Sequence, residues 1–353
     1  MAWLLEHASP PMQYRALVEV ARVDAATAAR AAGLPYAWAP AVRIAVAQRS
    51  DGTWPGLMLG VPGTGTDGVS GLGTVPAVHR LLEYGWHRES PPMLQARRTL
   101  FRLLAEDEDP SLLFEFSGTD AKDPDLARRA RGILREAAAA ALAHAGYEND
   151  PRLRGAARRI LERIAIFLKS PLAEKPWVRL GNRHVLSPDA SPPSFHALFM
   201  LAHMPLFRSE HHDSMDRICR YLANAMPRQE IVQQVGQNIV PQSHLVLGDM
   251  LPHRNAADAD IPWALVWLEL MARLGFLRKH EPWTRLLDRF LDDRDSRGAW
   301  HPHKGASTPH STNPLVWPFF PLEQHTAGEE KWTDVTFRLG LIARLSGRPI
   351  ELT

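Results

Sequence analysis

Along the chain, apolar residues recur at three- and four-residue steps rather than at alternate positions, and most of these runs open in the same way. A serine or aspartate stands before a proline at Ser9-Pro10, Ser90-Pro91, Asp123-Pro124, Asp150-Pro151 and Ser191-Pro192. The side-chain oxygen can accept the free N–H groups of a first helical turn, and proline presets φ at the first helical position. After Asp150, residues Leu161, Ile164, Ala165 and Leu168 mark one helical face. Gly33, Gly85, Gly146, Gly275 and Gly347 close periodic runs, where a left-handed cap suits glycine. The pattern predicts helices over 10–22, 25–32, 38–48, 75–84, 91–105, 124–144, 151–168, 192–205, 211–225, 261–274, 281–293 and 330–346. Strand-like alternation is nearly missing, and Asn238-Ile239-Val240 and His244-Leu245-Val246-Leu247 are short and isolated. The predicted class is all-α. Irregular stretches over 54–74, 171–190 and 295–329 are rich in Gly, Pro, Ser and Trp, and loops of that length in a compact domain usually carry function.

Length and composition narrow the picture. At roughly 150 residues per domain, 353 residues make about two ordinary domains or one large closed one. Hydrophobic residues at 45% and charged residues at 23% argue against a disordered or fibrous chain. A formal charge of 41 − 39 = +2 is too balanced to call for nucleic acid or an anionic membrane as an obligatory partner. The single cysteine, Cys219, excludes an intrachain disulfide framework and a four-cysteine zinc site and fits a reducing compartment. The first residues lack a basic segment followed by a long apolar one, and no stretch approaches the ~18 apolar residues of a membrane span. The expected location is the cytoplasm.

Helix pairs recur at about 40 to 50 residues, a spacing typical of repeat architectures, and two of them end alike. Gln48-Arg49-Ser50-Asp51-Gly52-Thr53-Trp54 and Arg294-Asp295-Ser296-Arg297-Gly298-Ala299-Trp300 each follow an apolar helix. The first resembles the Gln-x-x-x-Gly-x-Trp motif of the terpenoid cyclase and protein prenyltransferase superfamily. The second keeps Gly298 and Trp300 but has Arg294 in place of the glutamine. Trp3-Leu4-Leu5-Glu6 with Gln13-Tyr14-Arg15, and Trp332-Thr333 with Arg338-Leu339, are similar to the two ends of bacterial squalene-cyclase-like proteins. The resemblance implies a single domain over 1–353, an α/α toroid with an inner ring of helices inside an outer one around a central cavity. In that family the glutamine and tryptophan tie one helix end to the next hairpin, so the motif speaks of fold rather than catalysis. At the level of function the resemblance implies an apolar, isoprenoid-like ligand in the cavity, with acid-initiated cyclisation or isomerisation as its chemistry.

Class II terpenoid cyclases protonate an alkene with an aspartate of an Asp-x-Asp-Asp motif, and Asp258-Ala259-Asp260-Ile261 resembles it without the last acid. By position Asp260 is the expected acid, with Asp258 beside it. Trp263 and Trp267 share a helix face with Asp260. With Trp300 and Trp317 they are the expected cavity walls, whose ring faces attract cations. A plain alternative is that Asp258 or Asp260 caps its helix and the tryptophans are core. For metal, the sequence offers only His301, His303 and His310 near Glu323 and His325, and His211-His212-Asp213, none with two histidines one helical turn apart. No cofactor motif stands out: Gly63-Thr64-Gly65-Thr66-Asp67-Gly68 fits a dinucleotide pattern but joins no strand to a helix. Asp292-Asp293-Arg294-Asp295 lacks the last acid of a magnesium-binding Asp-Asp-x-x-Asp. Cys219 sits beside Ile218 and Leu222 as a small buried hydrophobe. Eleven basic and six acidic residues over 121–170 read as a solvated face, without the aromatics of a nucleic-acid binder. Two alternatives to an isoprenoid cyclase stay open. One is a non-catalytic toroid that binds a ligand or a protein at its loop rim; the other is a carbohydrate-active α/α barrel with paired acids in a cleft.

Overall fold

The computed structural model describes residues 1–63, 68–105, 123–226, 230–236, 238–251, 260–302, 307–323 and 328–350. Among them are fourteen α-helices, and helix accounts for 56% of the structure. In order these are α1 (Ala2–His7), α2 (Pro10–Arg15), α3 (Ala25–Ala31), α4 (Ala39–Val46), α5 (Thr74–Glu83), α6 (Pro91–Leu103) and α7 (Pro124–His144). There follow α8 (Pro151–Lys169), α9 (Phe195–Ala202), α10 (Pro205–Glu210), α11 (His212–Leu222), α12 (Ile261–Arg273), α13 (Glu281–Asp292) and α14 (Thr333–Leu345). A π-helical segment, Ala16–Ala21, continues α2 and ends at Arg22, whose φ is +57°.

The cap-then-proline device works where the aspartates stand. Asp123 accepts the N–H groups of Asp125 and Leu126 at 2.9 and 3.2 Å, and Asp150 accepts that of Arg152 at 2.9 Å. Ser191-Pro192 starts nothing, because Pro192 is itself followed by Pro193 and a residue before proline is pushed out of the helical region. The helix begins three residues later, with Ser194 Oγ accepting the Ala197 N–H at 3.0 Å. The expected helix over 192–205 is therefore shortened to α9, and a further helix that the pattern did not predict, α10, opens at Pro205. At the stops, Gly85, Gly146, Gly275 and Gly347 are left-handed, with φ between +67° and +80°.

The all-α expectation needs correction: a four-stranded sheet runs in the order β1-β2-β3-β4. Its strands are β1 (Trp177–Leu180), β2 (Arg183–Leu186), β3 (Val232–Val235) and β4 (Asn238–Pro241). They form two antiparallel hairpins joined by a parallel pairing of Leu186 with Gln233. Buried Gln233 secures the junction by donating to the carbonyls of Ser187 at 2.8 Å and Ala190 at 3.2 Å.

Two kinds of helix alternate along the chain. In α5, α9, α12 and α14 nearly every residue is buried, and α7 is buried along its second half. In α6, α8, α11 and α13 one apolar face is buried and the other is polar, the pattern of helices packed on one side only. Among the fully buried helices, α7 packs on α5 and α9, α12 on α9 and α14, and α14 on the π-helical segment. From the end of α2, Arg15 reaches back to Glu83 of α5. The long segments between helices, one of which carries β1 and β2, lead into the N-termini of α5, α9 and α14, whereas tight turns at Gly85, Gly146 and Gly275 follow the C-termini of α5, α7 and α12.

The two similar sequence endings fold alike. Arg49 N–H donates to Thr53 O and Asp295 N–H to Ala299 O, each at 2.8 Å. The glycine between is left-handed in both, with φ of +85° at Gly52 and +79° at Gly298. The tryptophan N–H then donates to a threonine hydroxyl of the next buried helix, Trp54 to Thr74 at 3.2 Å and Trp300 to Thr336 at 2.9 Å. In the first copy Gln48 Nε2 also donates to Gly52 O and Pro92 O at 3.0 and 2.8 Å, and Trp54 Nε1 to Ile44 O at 2.7 Å. Trp54 thus joins α4 to α5. Trp54→Phe should cost about 1 kcal/mol through the Ile44 bond, and Trp54→Ala about 3–5 kcal/mol through the cavity as well; equilibrium urea unfolding measures both.

Candidate functional site

None of Asp260, Trp263, Trp267, Trp300 and Trp317 lines any of the three hollows described below. Asp260 Oδ1 accepts the N–H of Trp263 at 3.0 Å, so its carboxylate is engaged at the start of α12. Trp263 and Trp267 are buried and stack along that helix, and Trp267 meets the edge of Trp283. Trp300 is buried in the repeat turn against Trp332, and the ring of Trp317 lies under the Arg80 guanidinium at 4.8 Å. Asp258 and His303 lie outside the described residues. His301 and His310 are exposed, and among the described residues no three His, Cys, Asp or Glu side chains are grouped to hold a metal ion. Cys219 is buried, and burial raises its thiol pKa.

What the fold brings together is a set of charges that the sequence reading passed over. Arg15 meets Glu83 at 2.6 Å, Glu83 meets Arg338, Arg338 meets Glu269 at 2.6 Å, and Glu269 meets Arg273 at 2.9 Å. Arg273 lies 3.8 Å from Glu19, which returns to Arg15 at 2.5 Å. Three arginines and three glutamates thus form a closed, alternating and electrically neutral circuit across α2, its π-helical continuation, α5, α12 and α14. Four of the six, Arg15, Glu83, Glu269 and Arg338, are buried. Burial alone would raise the pKa of Glu83, but Arg15 and Arg338, helped by His144, bring it well below the usual carboxylate range. Glu269 is lowered by Arg338 and Arg273 against the same burial. Beside the circuit, the free space bounded by Phe199, Phe319, Glu269, Arg273 and Arg338 is only about 10 Å³, the room of a single water.

Histidines line the neighbouring helices. His79 Nδ1 and His144 Nδ1 are 3.0 Å apart, and His144 Nε2 is 3.4 Å from Glu83 Oε1. Both contacts are satisfied when His144 donates from Nε2 to Glu83 and accepts at Nδ1 from His79. Such a chain can hold or hand on one proton between His79 and Glu83. His203 stacks on Phe199 at 4.3 Å and approaches His144 at 4.7 Å between ring centres. Burial, then neighbouring His144, holds the pKa values of His79 and His203 well below the ordinary imidazole value. Burial likewise brings His196 to about 4 and His244 to about 3. Those two lie by Glu136, whose carboxylate accepts from Ser194 Oγ and pairs with Arg163 at 2.5 Å. On α14, burial and then Glu323 push Asp334 up to about 7.

The sequence reading singled out Arg15 and Arg338 only as part of the resemblance at the two chain ends, and it paired none of these charges. Arg15/Glu19 and Glu269/Arg273 are four residues apart, the spacing of ordinary surface pairs. The available signal was a charge inside an apolar run, as in Leu268-Glu269-Leu270 and Phe337-Arg338-Leu339.

Two outcomes follow from the electrostatics. Glu83→Gln strips a buried partner from both Arg15 and Arg338 and should destabilise the fold by about 3–5 kcal/mol, read by urea unfolding. The pH dependence has a definite sign. Four histidines titrate lower in the folded chain than unfolded, so the unfolded chain binds more protons as pH falls below about 6.5, and stability drops. Asp334, raised to about 7, opposes this by taking up a proton in the folded chain between about pH 4 and 7. The melting temperature should fall from pH 7 to pH 5, and Asp334→Asn should steepen the fall; a flat profile in both would contradict the assignment. In comparison with known proteins, no family model, no curated protein and no solved structure matches this chain.

Proposed function

We propose that this chain is an α/α toroid of terpenoid-cyclase-like build that acts as a binding module at its loop-bearing end, not as an acid-initiated cyclase. Support for the toroid comes from the alternation of fully and half-buried helices and from the packing order α5, α7, α9, α12, α14 and π-helical segment. Arg15 bridging back to Glu83 agrees with closure of that order. The equivalent turns at Trp54 and Trp300 fit a repeated hairpin.

The observation that carries the binding reading is the Arg15–Glu83–Arg338–Glu269–Arg273–Glu19 circuit. A cyclisation chamber needs apolar volume for a hydrocarbon and an acid aimed into it. Here the space beside the circuit is about 10 Å³ and Asp260 is held by its own helix. A carbocation formed near three fixed glutamates would meet nucleophilic oxygens rather than aromatic faces. Larger hollows lie at the surface instead: about 330 Å³ beside Arg163, Ile166, Phe167 and Ser191, in the segment leading into α9, and about 350 Å³ at the opposite, tight-turn end beside Tyr14, Gly85 and Trp86.

Incubation of the purified protein with squalene and with a polyprenyl diphosphate, followed by product analysis, tests this reading. No cyclised product is expected, and Asp260→Asn should lower stability by about 1 kcal/mol, the worth of a helix cap. A cyclic product that vanishes in Asp260→Asn would overturn it.

A further inference from the structure

The segment Val316–Leu322 is not a helix, yet it runs between buried helices and is held as a ligand would be. Arg80, on α5, is 4% exposed, and among the described residues no carboxylate pairs with it. Its guanidinium donates to the carbonyls of Trp317, at 2.8 Å, and Pro321, and it lies over the rings of Trp317 and Tyr84 at 4.8 and 5.2 Å. Tyr84 OH donates to Leu322 O at 3.1 Å, and Arg338 donates to Phe319 O. Arg338, 1% exposed, keeps its Nε without a hydrogen-bond partner among the described residues. The Phe319 ring stacks on Phe199 at 4.7 Å and meets His79 at 5.2 Å and His144 at 6.3 Å.

The contrast with the other central arginines is chemical. Arg15 and Arg338 each have carboxylates; among the described residues Arg80 has only neutral carbonyl and hydroxyl oxygens and ring faces. A buried guanidinium binds a carboxylate in two parallel hydrogen bonds and more strongly than it binds carbonyls. We infer that Val316–Leu322 is an intrachain occupant of a ligand site, and that the ligand which displaces it is an aromatic carboxylate. Its carboxylate takes the place of the Trp317 and Pro321 carbonyls at Arg80. Its ring takes the place of Phe319 between Phe199 and His79. The inference rests on the binding reading above and adds to it the ligand class and a site that is closed until displaced.

Phe319→Ala removes the occupying ring and leaves the main chain in place. Calorimetry with 2-naphthoate and with neutral 2-naphthamide should find the variant binding the carboxylate at least roughly tenfold more tightly than the wild type does, and than it binds the amide. Adding Arg80→Gln should erase the preference for the carboxylate. A folded variant that binds neither probe, or binds both alike with or without Arg80, overturns the inference. Should Phe319→Ala not fold, hydrogen exchange on the wild type decides: saturating 2-naphthoate should speed exchange at Trp317, Phe319 and Phe320 while α12 is unchanged, and no change there overturns it. Either failure leaves the binding reading intact, which only a cyclised product removes.

Discussion

Six charges that cannot leave one another fix the centre of this protein. Each arginine of the circuit lies between two glutamates, and each glutamate between two arginines, so no charge is left without a partner of opposite sign. Desolvating an ion is expensive, and partners repay that cost only when geometry is good and the remaining donors are met. The closed circuit pairs every charge, with Arg338 Nε left as a buried donor that has no partner among the described residues. It also explains why α5, α12 and α14 bury charged residues in the midst of apolar ones: the charges face each other, not the lipid-like packing around them. Because the circuit takes members from the first third and the last third of the chain, it can form only when α2, α5, α12 and α14 have come together. It therefore acts less as a source of net stability than as a register pin for one arrangement of the helices.

The helical skeleton was legible because local chemistry dictates it. Asp123-Pro124 and Asp150-Pro151 place helix starts to the residue, and Gly146 stops the first of these helices with its φ of +80°. The sheet was missed for a reason of composition. Its strands are four residues long and carry Arg179, Arg183, His184, Gln234 and Asn238, so no apolar alternation develops. The readable signal was the pair Gly181-Asn182 between two short runs, a common hairpin turn. Asp260 shows the opposite case: its cap role was one of the readings the sequence allowed, and it is the one the hydrogen bond to Trp263 bears out. The charge circuit was illegible because its members are spread over 323 positions, from Arg15 to Arg338. Only tertiary closure makes neighbours of them.

Around the circuit, the histidines set a second constraint. His79 and His203, packed against Phe199, stay neutral because burial in a dry setting disfavours their charged form and His144 lies beside both. Neutral, they can still donate and accept, and the His79–His144–Glu83 chain ties the uncharged zone to the charged one. The irregular segment carrying Trp317 and Phe319 closes the space between them. Helices supply the rigid walls, while loops leading into their N-termini supply what fills or covers the centre. Such a division suits recognition, in which a fixed frame presents exchangeable contacts.

The claim on which this account turns is that the central charges act as one coupled unit. A double-mutant cycle on Arg338→Met and Glu269→Gln, read by urea unfolding, measures that coupling directly. A coupling energy of about 2 kcal/mol or more, with the double variant far less destabilised than the sum of the two singles, is the result expected of a shared buried circuit. Additive effects within about 0.5 kcal/mol would mean that the two residues act independently and that the circuit does not hold the centre together.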